Sequence, residues 1–575
     1  MGKTIILDFI KKHKISYIIG IIFMMITSYI QALFPRVLGD TIDILSTNNF
    51  TYNLIKIKIM YILLIAIGAF LCTYAWRNLI VVNARNLECH LREKLFNHLQ
   101  KLSSEFYNQK KTGNLISYAI NDISAVRMTL GPATAMIVNM ICICSISIYS
   151  MSRIINLKQT LLILTPIPFI IFYLIKTGKI VQKRFKKVQE NFSSISGRVQ
   201  ENIYGIRVIK SYAQEDAEAQ KFEILNNAMM DSNVNMVKVS SSLSPVIEIS
   251  FSISFVMNLI IGGNMVLNGG ITLGQFIAFN GYLTLIMRPI ISIGRVITIF
   301  QRGIASMKRL DEIFNVIPKI ESGEKMIKRT IEGEIEFNNL SFSYSNSDKK
   351  ALENIKFKIP KGYTIGILGK TASGKTTISN LLLKLYTSPR DEIFIDSVDI
   401  NDYSLDTLRG SIGYVPQDNF LFSASIKENI KFFKPKFTDE DVVKASKLSS
   451  IYESIMKLPN GFDTILGERG VNLSGGEKQR ISIARAIIGN PPILVLDDSL
   501  SAVDNITEST ILKNIQKLRD GKTTIVIAHR ISTIKHANFI IVLDAGKISE
   551  MGTHSELIDK GGIYYETYKS QCETS

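Results

Sequence analysis

Up to about Ile291 the chain repeatedly runs apolar for close to the ~20 residues that cross a bilayer as a helix, and after Gly333 it does not do so again. Six such runs are expected spans: roughly Ile15–Phe34, Ile59–Trp76, Gly131–Met151, Leu157–Ile175, Leu243–Leu267 and Ile271–Ile291. The fourth is short, and Lys158 and Lys176 at its ends can snorkel to the two interfaces. A chain of 575 residues is also too long for a single core. The expectation is a membrane α-helical half over 1–315, a polar linker over 316–332 and a soluble half over 333–575, with no internal repeat.

The formal charge of +17 is concentrated, near the membrane, in two long loops. One carries Arg85, Arg92, Lys94, Lys101, Lys110, Lys111 and Arg127. The other carries Lys179, Lys183, Arg184, Lys186, Lys187, Arg198, Arg207, Lys210 and Lys221, whereas the short turn Asn268–Gly270 carries none. The positive-inside rule places both loops, and both ends of the chain, on the cytoplasmic side. No nucleic-acid motif accompanies the charge, so nucleic acid is not an expected partner. Stretches such as Leu87–Leu102 and Val199–Leu225 mix helix formers with recurring apolar residues and lack proline, so the loops are expected to be helical. The five cysteines match no zinc or redox spacing and read as buried or lipid-facing thiols. The basic N-terminus precedes an apolar run long enough to span, with no small-residue cleavage site, and reads as a retained first helix.

Chemistry concentrates in the soluble half. Gly369, Lys370, Thr371, Ala372, Ser373, Gly374, Lys375 and Thr376 form GxxxxGK[ST] between the strand-like Tyr363–Leu368 and the apolar-periodic Ile378–Leu385. Glycines there let backbone N–H groups curl around phosphates at a helix N-terminus, Lys375 reaches the outer phosphates, and the Thr376 hydroxyl can ligate Mg²⁺. A second glycine turn, Leu473-Ser474-Gly475-Gly476-Glu477, opens the helical Ile481–Ile488 and offers another anion site. Taken singly, the second turn is a helix cap, and Tyr344 is a strand aromatic. His529 after Thr524–Ala528 is a surface or capping histidine, and Gln417 carries nothing. Their order and spacing carry the inference.

In that order the residues resemble the ATP-binding-cassette (ABC) exporter half-transporters over nearly the whole chain. Gly369–Thr376 is similar to Walker A, Leu473–Glu477 to the signature, Tyr344 to the adenine-stacking aromatic and Gln417 in Val415-Pro-Gln to the Q-loop. Gly467-Glu-Arg-Gly470 is similar to the exporter X-loop, Ser501–Asp504 to the D-loop and His529 to the switch histidine. Phe106-Tyr107 with Lys111–Leu115 and Asn121-Asp122 resembles the first coupling-helix region; Gly205–Lys210 with Ala213–Glu215 resembles the second. The resemblance implies six transmembrane helices with long cytoplasmic coupling helices, fused to a soluble α/β P-loop domain of ABC type. It also implies ATP contact extending to Thr377, Mg²⁺ at Thr376, Gln417 and Asp497, an ATPase driving alternating access, and a bacterial cytoplasmic-membrane location. A coupling helix would cross to a partner subunit.

One departure stands out. Where the family places a glutamate after the Walker B aspartate, this chain has Asp498. Its carboxylate stands on a stem shorter by one methylene, so nucleotide binding should survive while hydrolysis slows. In the family such a site is typical of heterodimers, in which the intact Ser474-Gly475-Gly476 would complete the competent site of a second half-transporter. A homodimer that tolerates aspartate by local adjustment is the other reading.

The substrate is poorly specified: an amphipathic drug, lipid or peptide. Ionisable residues inside spans are costly, which singles out Glu248 and Arg288 for substrate contact, against an ion pair or snorkelling side chains as the structural reading. Peptide export with leader cleavage is not expected, because no protease domain fits before the first span. A membrane ATPase without cargo and an exporter-fold importer of metal chelates are the alternatives.

Overall fold

The computed structural model describes residues 2–46, 52–110, 112–320, 327, 329–345, 347, 349–467, 470 and 473–573. They form two compact units: Met1–Gln100 with Lys111–Val316, and Lys101–Lys110 with Ile317–Ser575. The expected linker falls partly on residues outside those described, as do Lys111 and the Glu468 and Arg469 of the X-loop.

The first unit holds six helical segments long and apolar enough to cross a membrane: Lys14–Ser46, Tyr52–Lys101, Thr112–Ile154, Leu157–Tyr204, Glu215–Leu267 and Leu273–Phe314. The first five each contain one expected apolar run and the sixth begins two residues inside its run; all extend well beyond, because apolar length finds the lipid-facing part and misses the polar continuation of the same helix. Three segments are interrupted, the fifth at Ser241–Ser242. The third passes through π-turns at Tyr118–Asp122 and Thr129–Ala133, the latter around Pro132, and the fourth breaks at Leu164–Thr165 before Pro166. The polar loop expected to be helical over Val199–Leu225 is three helices, Pro166–Tyr204, Ile206–Ser211 and Glu215–Ser240, separated at Gly205 and at 212–214. A separate short helix, Gly2–Lys12, precedes the first span, and its Ile6 and Phe9 join a cluster with Leu91, Leu310 and Phe314.

Polar contacts lock this unit. The last span starts at a capping box on Thr272 and Gln275, and Asp43 accepts from the Thr272 hydroxyl (2.5 Å) and the Gly274 N–H (2.6 Å). At Gly39 and Gly274 the two helices approach so closely that a Cβ on either would overlap the other's carbonyl. Buried Asp122 accepts from Ser306 (2.7 Å) and Arg309 Nε (3.1 Å). Arg85, Arg92 and Arg127 of the first basic loop all meet Glu88 at 3.0 Å. No cysteine is in a disulfide; Cys142 and Cys144 are half-buried, while Cys89 and Cys572 are exposed rather than buried.

Among the described residues the second unit carries ten strands: β1 Ile335–Ser343, β2 Lys350–Ile359, β3 Thr364–Gly369, β4 Ile393–Ile395, β5 Val398–Asp399, β6 Ile412–Val415, β7 Ile493–Asp497, β8 Thr523–Ile527, β9 Phe539–Asp544 and β10 Lys547–Gly552. They make a four-stranded sheet, β2-β1-β4-β5, and a six-stranded sheet, β10-β9-β3-β8-β7-β6, whose members from β9 to β6 run parallel. The middles of the parallel strands are apolar because both faces are covered. Ile367, Val495 and Ile527 pack with the four-stranded sheet and the helix Lys375–Leu382, while Leu494, Leu496 and Val526 pack under the helix Gly475–Ile487.

Candidate active site

Parallel pairing puts the C-terminal ends of four strands side by side, where ligands of open α/β sheets bind. The phosphate loop leaves β3, Gln417 follows β6, Asp497 and Asp498 end β7, and His529 follows β8; Val415 is level with Leu496, and Asp497 with Ile527.

The phosphate loop is a tight cradle. Gly374 has φ 99° and Ala372 φ 64°, both left-handed, and a Cβ on Gly374 would come within 2.6 Å of Leu352. Lys375, 6 % exposed, donates to the carbonyls of Gly369 (2.7 Å) and Lys370 (2.8 Å). Burial pulls its pKa down, against the opposing fields of Asp497 and Asp498. Thr371 and Ala372 are exposed on the loop, and the buried Ser373 hydroxyl has no partner. Asp497, 1 % exposed, faces Thr376 Oγ1 at 3.3 Å and accepts from Ser379 at 3.1 Å. Burial raises its carboxyl above the usual range, opposed by those two hydroxyls. The buried Tyr414 hydroxyl reaches both Ser379 and Asp497.

These features fit a polyphosphate and a hard cation: a closed ring of backbone around an orphaned hydroxyl, an ammonium beside it, and a buried carboxylate next to a threonine hydroxyl. Ser379 and Tyr414 were not singled out from the sequence. Ser379 lies one helical turn beyond Thr376, so the helical period was a signal for it.

Asp498 is half-buried with a left-handed backbone, φ 45°. Its N–H donates to the Ile527 carbonyl (2.9 Å), and its own carbonyl accepts from Ser501 Oγ (3.1 Å). Tyr344 sits on the flank of the cradle: its hydroxyl meets Thr377 Oγ1 at 3.0 Å and its ring stands edge-on to Tyr386 at 5.1 Å. Tyr386 accepts from Asn108, and Glu105 accepts from Lys319 (2.7 Å) and Ser345, so the segment Lys101–Lys110 braces this flank. Gln417 is exposed after β6.

The signature turn is a capping box. Ser474 and Glu477 exchange side-chain and backbone bonds at the start of the helix Gly475–Ile487, leaving Ser474 and Gly475 exposed. From that helix Gln479 donates to Ser501 Oγ (3.2 Å) and accepts from Ala502 N (3.0 Å), and Arg485 donates to the Phe420 carbonyl (2.9 Å) in the segment after Gln417. Asp504 caps the helix Asn505–Leu518 through Thr507 N (2.9 Å). In the first unit, Glu248 and Arg288 are both exposed; Glu248 accepts from Ser244 (3.3 Å), and no Glu248–Arg288 ion pair forms among the described residues.

Comparison with known proteins agrees with the geometry. Residues 17–290 match the ABC transporter transmembrane region, and residues 352–501 match the ABC transporter family of ATP-binding domains. The chain is 37% identical over 565 residues, 98% of itself and 96% of the relative, to the probable multidrug resistance ABC transporter ATP-binding/permease protein YheI of Bacillus subtilis (strain 168). It is 33% identical to the multidrug resistance-like ATP-binding protein MdlA of Escherichia coli (strain K12), over 96% of this chain and 94% of that one. The solved structure of a bacterial Atm1-family ABC exporter with ATP bound superposes with a TM-score of 0.81 at 25% identity, covering 98% and 99% of the two chains. The chain therefore belongs to the ABC transporters: an exporter-fold protein joining a six-helix transmembrane region to an ATP-binding domain, with ATPase activity coupled to transport.

Proposed function

We propose that the chain is one half of a heterodimeric exporter of amphipathic compounds in a bacterial cytoplasmic membrane, with the ATP-binding domain and both termini cytoplasmic, and that its own Walker B site hydrolyses ATP slowly. The names of the relatives above, multidrug resistance transporters, support the substrate class.

The division of roles is the one the family resemblance implies, and the contacts around Lys375 and Asp497 support it. Backbone N–H groups from Gly369 to Thr376, with Lys375, hold the phosphates; Tyr344 stacks the base; Thr376, Asp497 and Gln417 hold magnesium. When bound, the magnesium neutralises charge on the phosphate oxygens. Asp498 orients the attacking water, and His529 steadies the outermost phosphate. Ser474, Gly475, Gly476, Glu477 and Asp504 serve the nucleotide of the opposite subunit. Four phenylalanines, Phe420, Phe422, Phe432 and Phe433, form an exposed patch on the ATP-binding unit that a partner's coupling helix would cover. Binding of ATP drives the cycle because it has higher affinity for the closed pair.

The observation that carries the slow-site reading is the pinned backbone of Asp498. With its N–H held by Ile527 and its carbonyl by Ser501, the main chain has no slack to restore the reach of the missing methylene. The carboxylate then falls short by roughly 1–1.5 Å, and about 1 Å of misplacement costs around a hundredfold in rate. The chain purified alone should bind ATP and turn it over slowly, and Asp498→Glu should raise turnover at least about tenfold. Brisk wild-type turnover by the chain alone would sink the reading. A tag on this chain in its native membrane should also co-purify a second half-transporter.

For cargo, we propose that Glu248 contacts cationic substrates, since it is exposed and has no cation partner within the described residues. Glu248→Gln should reduce transport of a cationic dye about tenfold and spare a neutral one; equal loss of both would mark a structural role.

A further inference from the structure

The C-terminal helix Ile563–Glu573 is anchored firmly at its first turn. Glu550 on β10, 6 % exposed, accepts from the N–H groups of Ile563 (2.5 Å) and Tyr564 (3.2 Å), two donors that a helix start leaves unpaired. Tyr564 is fully buried, with its hydroxyl 2.7 Å from His554 Nδ1, and Tyr568 stands edge-on to the same imidazole at 5.6 Å. Two turns later the helix presents Gln571 to the loop after β8. Its Nε2 donates to the His529 carbonyl (2.8 Å), and its Oε1 accepts from the Ile531 N–H (2.9 Å).

Both ends of one carboxamide are thus tied to a backbone acceptor and a backbone donor two residues apart, which fixes the peptide planes on either side of Arg530. The Arg530 side chain, in turn, reaches the Ser501 carbonyl and Asn505 Oδ1 at 3.4 Å and the buried Glu508 at 3.6 Å. The imidazole of His529 has no hydrogen bond of its own among the described residues. Its position is set by the main chain that carries it, and that main chain is held from one side by the D-loop and from the other by Gln571.

We propose that Gln571 is a positioning residue for His529, which makes the C-terminal helix a working part of the hydrolytic site. The inference rests on the role given to His529 above and goes beyond it. A histidine acting on a phosphate oxygen must be placed to a fraction of an ångström, and a loop released at one end moves by more than that.

The test uses the full chain purified without a partner, in lipid nanodiscs, so that its own site sets the rate. Gln571→Leu keeps the length and removes both bonds. It should cut ATP turnover about tenfold, with KM for ATP within about twofold and the unfolding midpoint within a few degrees. Gln571→Glu keeps the acceptor for Ile531 but turns a carboxylate on the His529 carbonyl. Its turnover relative to wild type should be low at pH 8 and recover as pH falls toward 5.5, because a carboxylate held against a carbonyl titrates above the ordinary glutamate range and its protonated form regains an O–H donor. Wild-type turnover in Gln571→Leu overturns the proposal. If that variant unfolds, the Gln571→Glu profile decides, and a profile parallel to wild type overturns it. Unchanged turnover in His529→Ala would overturn the role of His529 instead. The outcome of Asp498→Glu bears only on the slow-site reading, since the Gln571 comparison holds with either residue at 498.

Discussion

At the phosphate loop, Lys375 and Asp497 are buried among groups of the same chain, with Thr376, Ser379 and Tyr414 closing around the carboxylate. At the signature turn, Ser474 and Gly475 stand exposed, and their hydrogen bonds complete a helix cap and nothing more. Both are glycine turns at helix N-termini with donors free for an anion. The first is furnished by its own chain; the second, among the described residues, presents an exposed helix cap, as the proposed sharing with another subunit would require.

The sharpest way to break that contrast is to damage each region separately in the assembly purified through a tag on this chain. Ser474→Arg fills the turn with a bulky cation and should lower turnover by about a hundredfold while nucleotide binding to this chain's own loop persists. Lys375→Ala should abolish labelling of this chain by a photoreactive ATP analogue, yet leave turnover within about fivefold if, as proposed, the competent site lies in a partner. Equal losses in the two variants would mean that both sites work alike, as in a homodimer. A finer test concerns Gln479, which ties the signature helix to Ser501 and Ala502. Gln479→Leu should reduce turnover several-fold without altering affinity for the ATP analogue, since two partly buried hydrogen bonds are lost beside the D-loop and none at the phosphate loop. Weakened affinity would show that the two regions are coupled within one chain.

How much could be read in advance follows the same division. Gly369–Thr376 is contiguous, and its chemistry needs a fixed spacing, so the sequence displays it in full. Ser379, Tyr414, Gln479 and Gln571 act through the fold: each lies on a different element, and only the sheet order and the helix docking bring them to a motif. In the membrane unit, apolar runs marked the six spans but not their length, because the continuation of a helix beyond its apolar run is polar on most faces. The breaks at Thr129–Ala133 and Leu164–Thr165 adjoin prolines already visible in the sequence. By contrast, the π-turn at Tyr118–Asp122, which delivers Asp122 to Ser306 and Arg309, has no residue signature of that kind. Basic residues also proved ambiguous: Arg85, Arg92 and Arg127 mark the cytoplasmic side by count, yet they converge on Glu88.

The helix Tyr52–Lys101 runs without a break for 50 residues, about 75 Å at ~1.5 Å per residue, whereas the hydrocarbon of a bilayer takes up only ~30 Å. Such a rod works as a beam: swinging it by about ten degrees around its middle carries each tip roughly 6–7 Å, more than one helical pitch. A modest change of tilt at one end therefore arrives at the other as a stroke large enough to exchange one set of packing partners for another. Stiffness along its length, not any single contact, is what would make that transmission efficient.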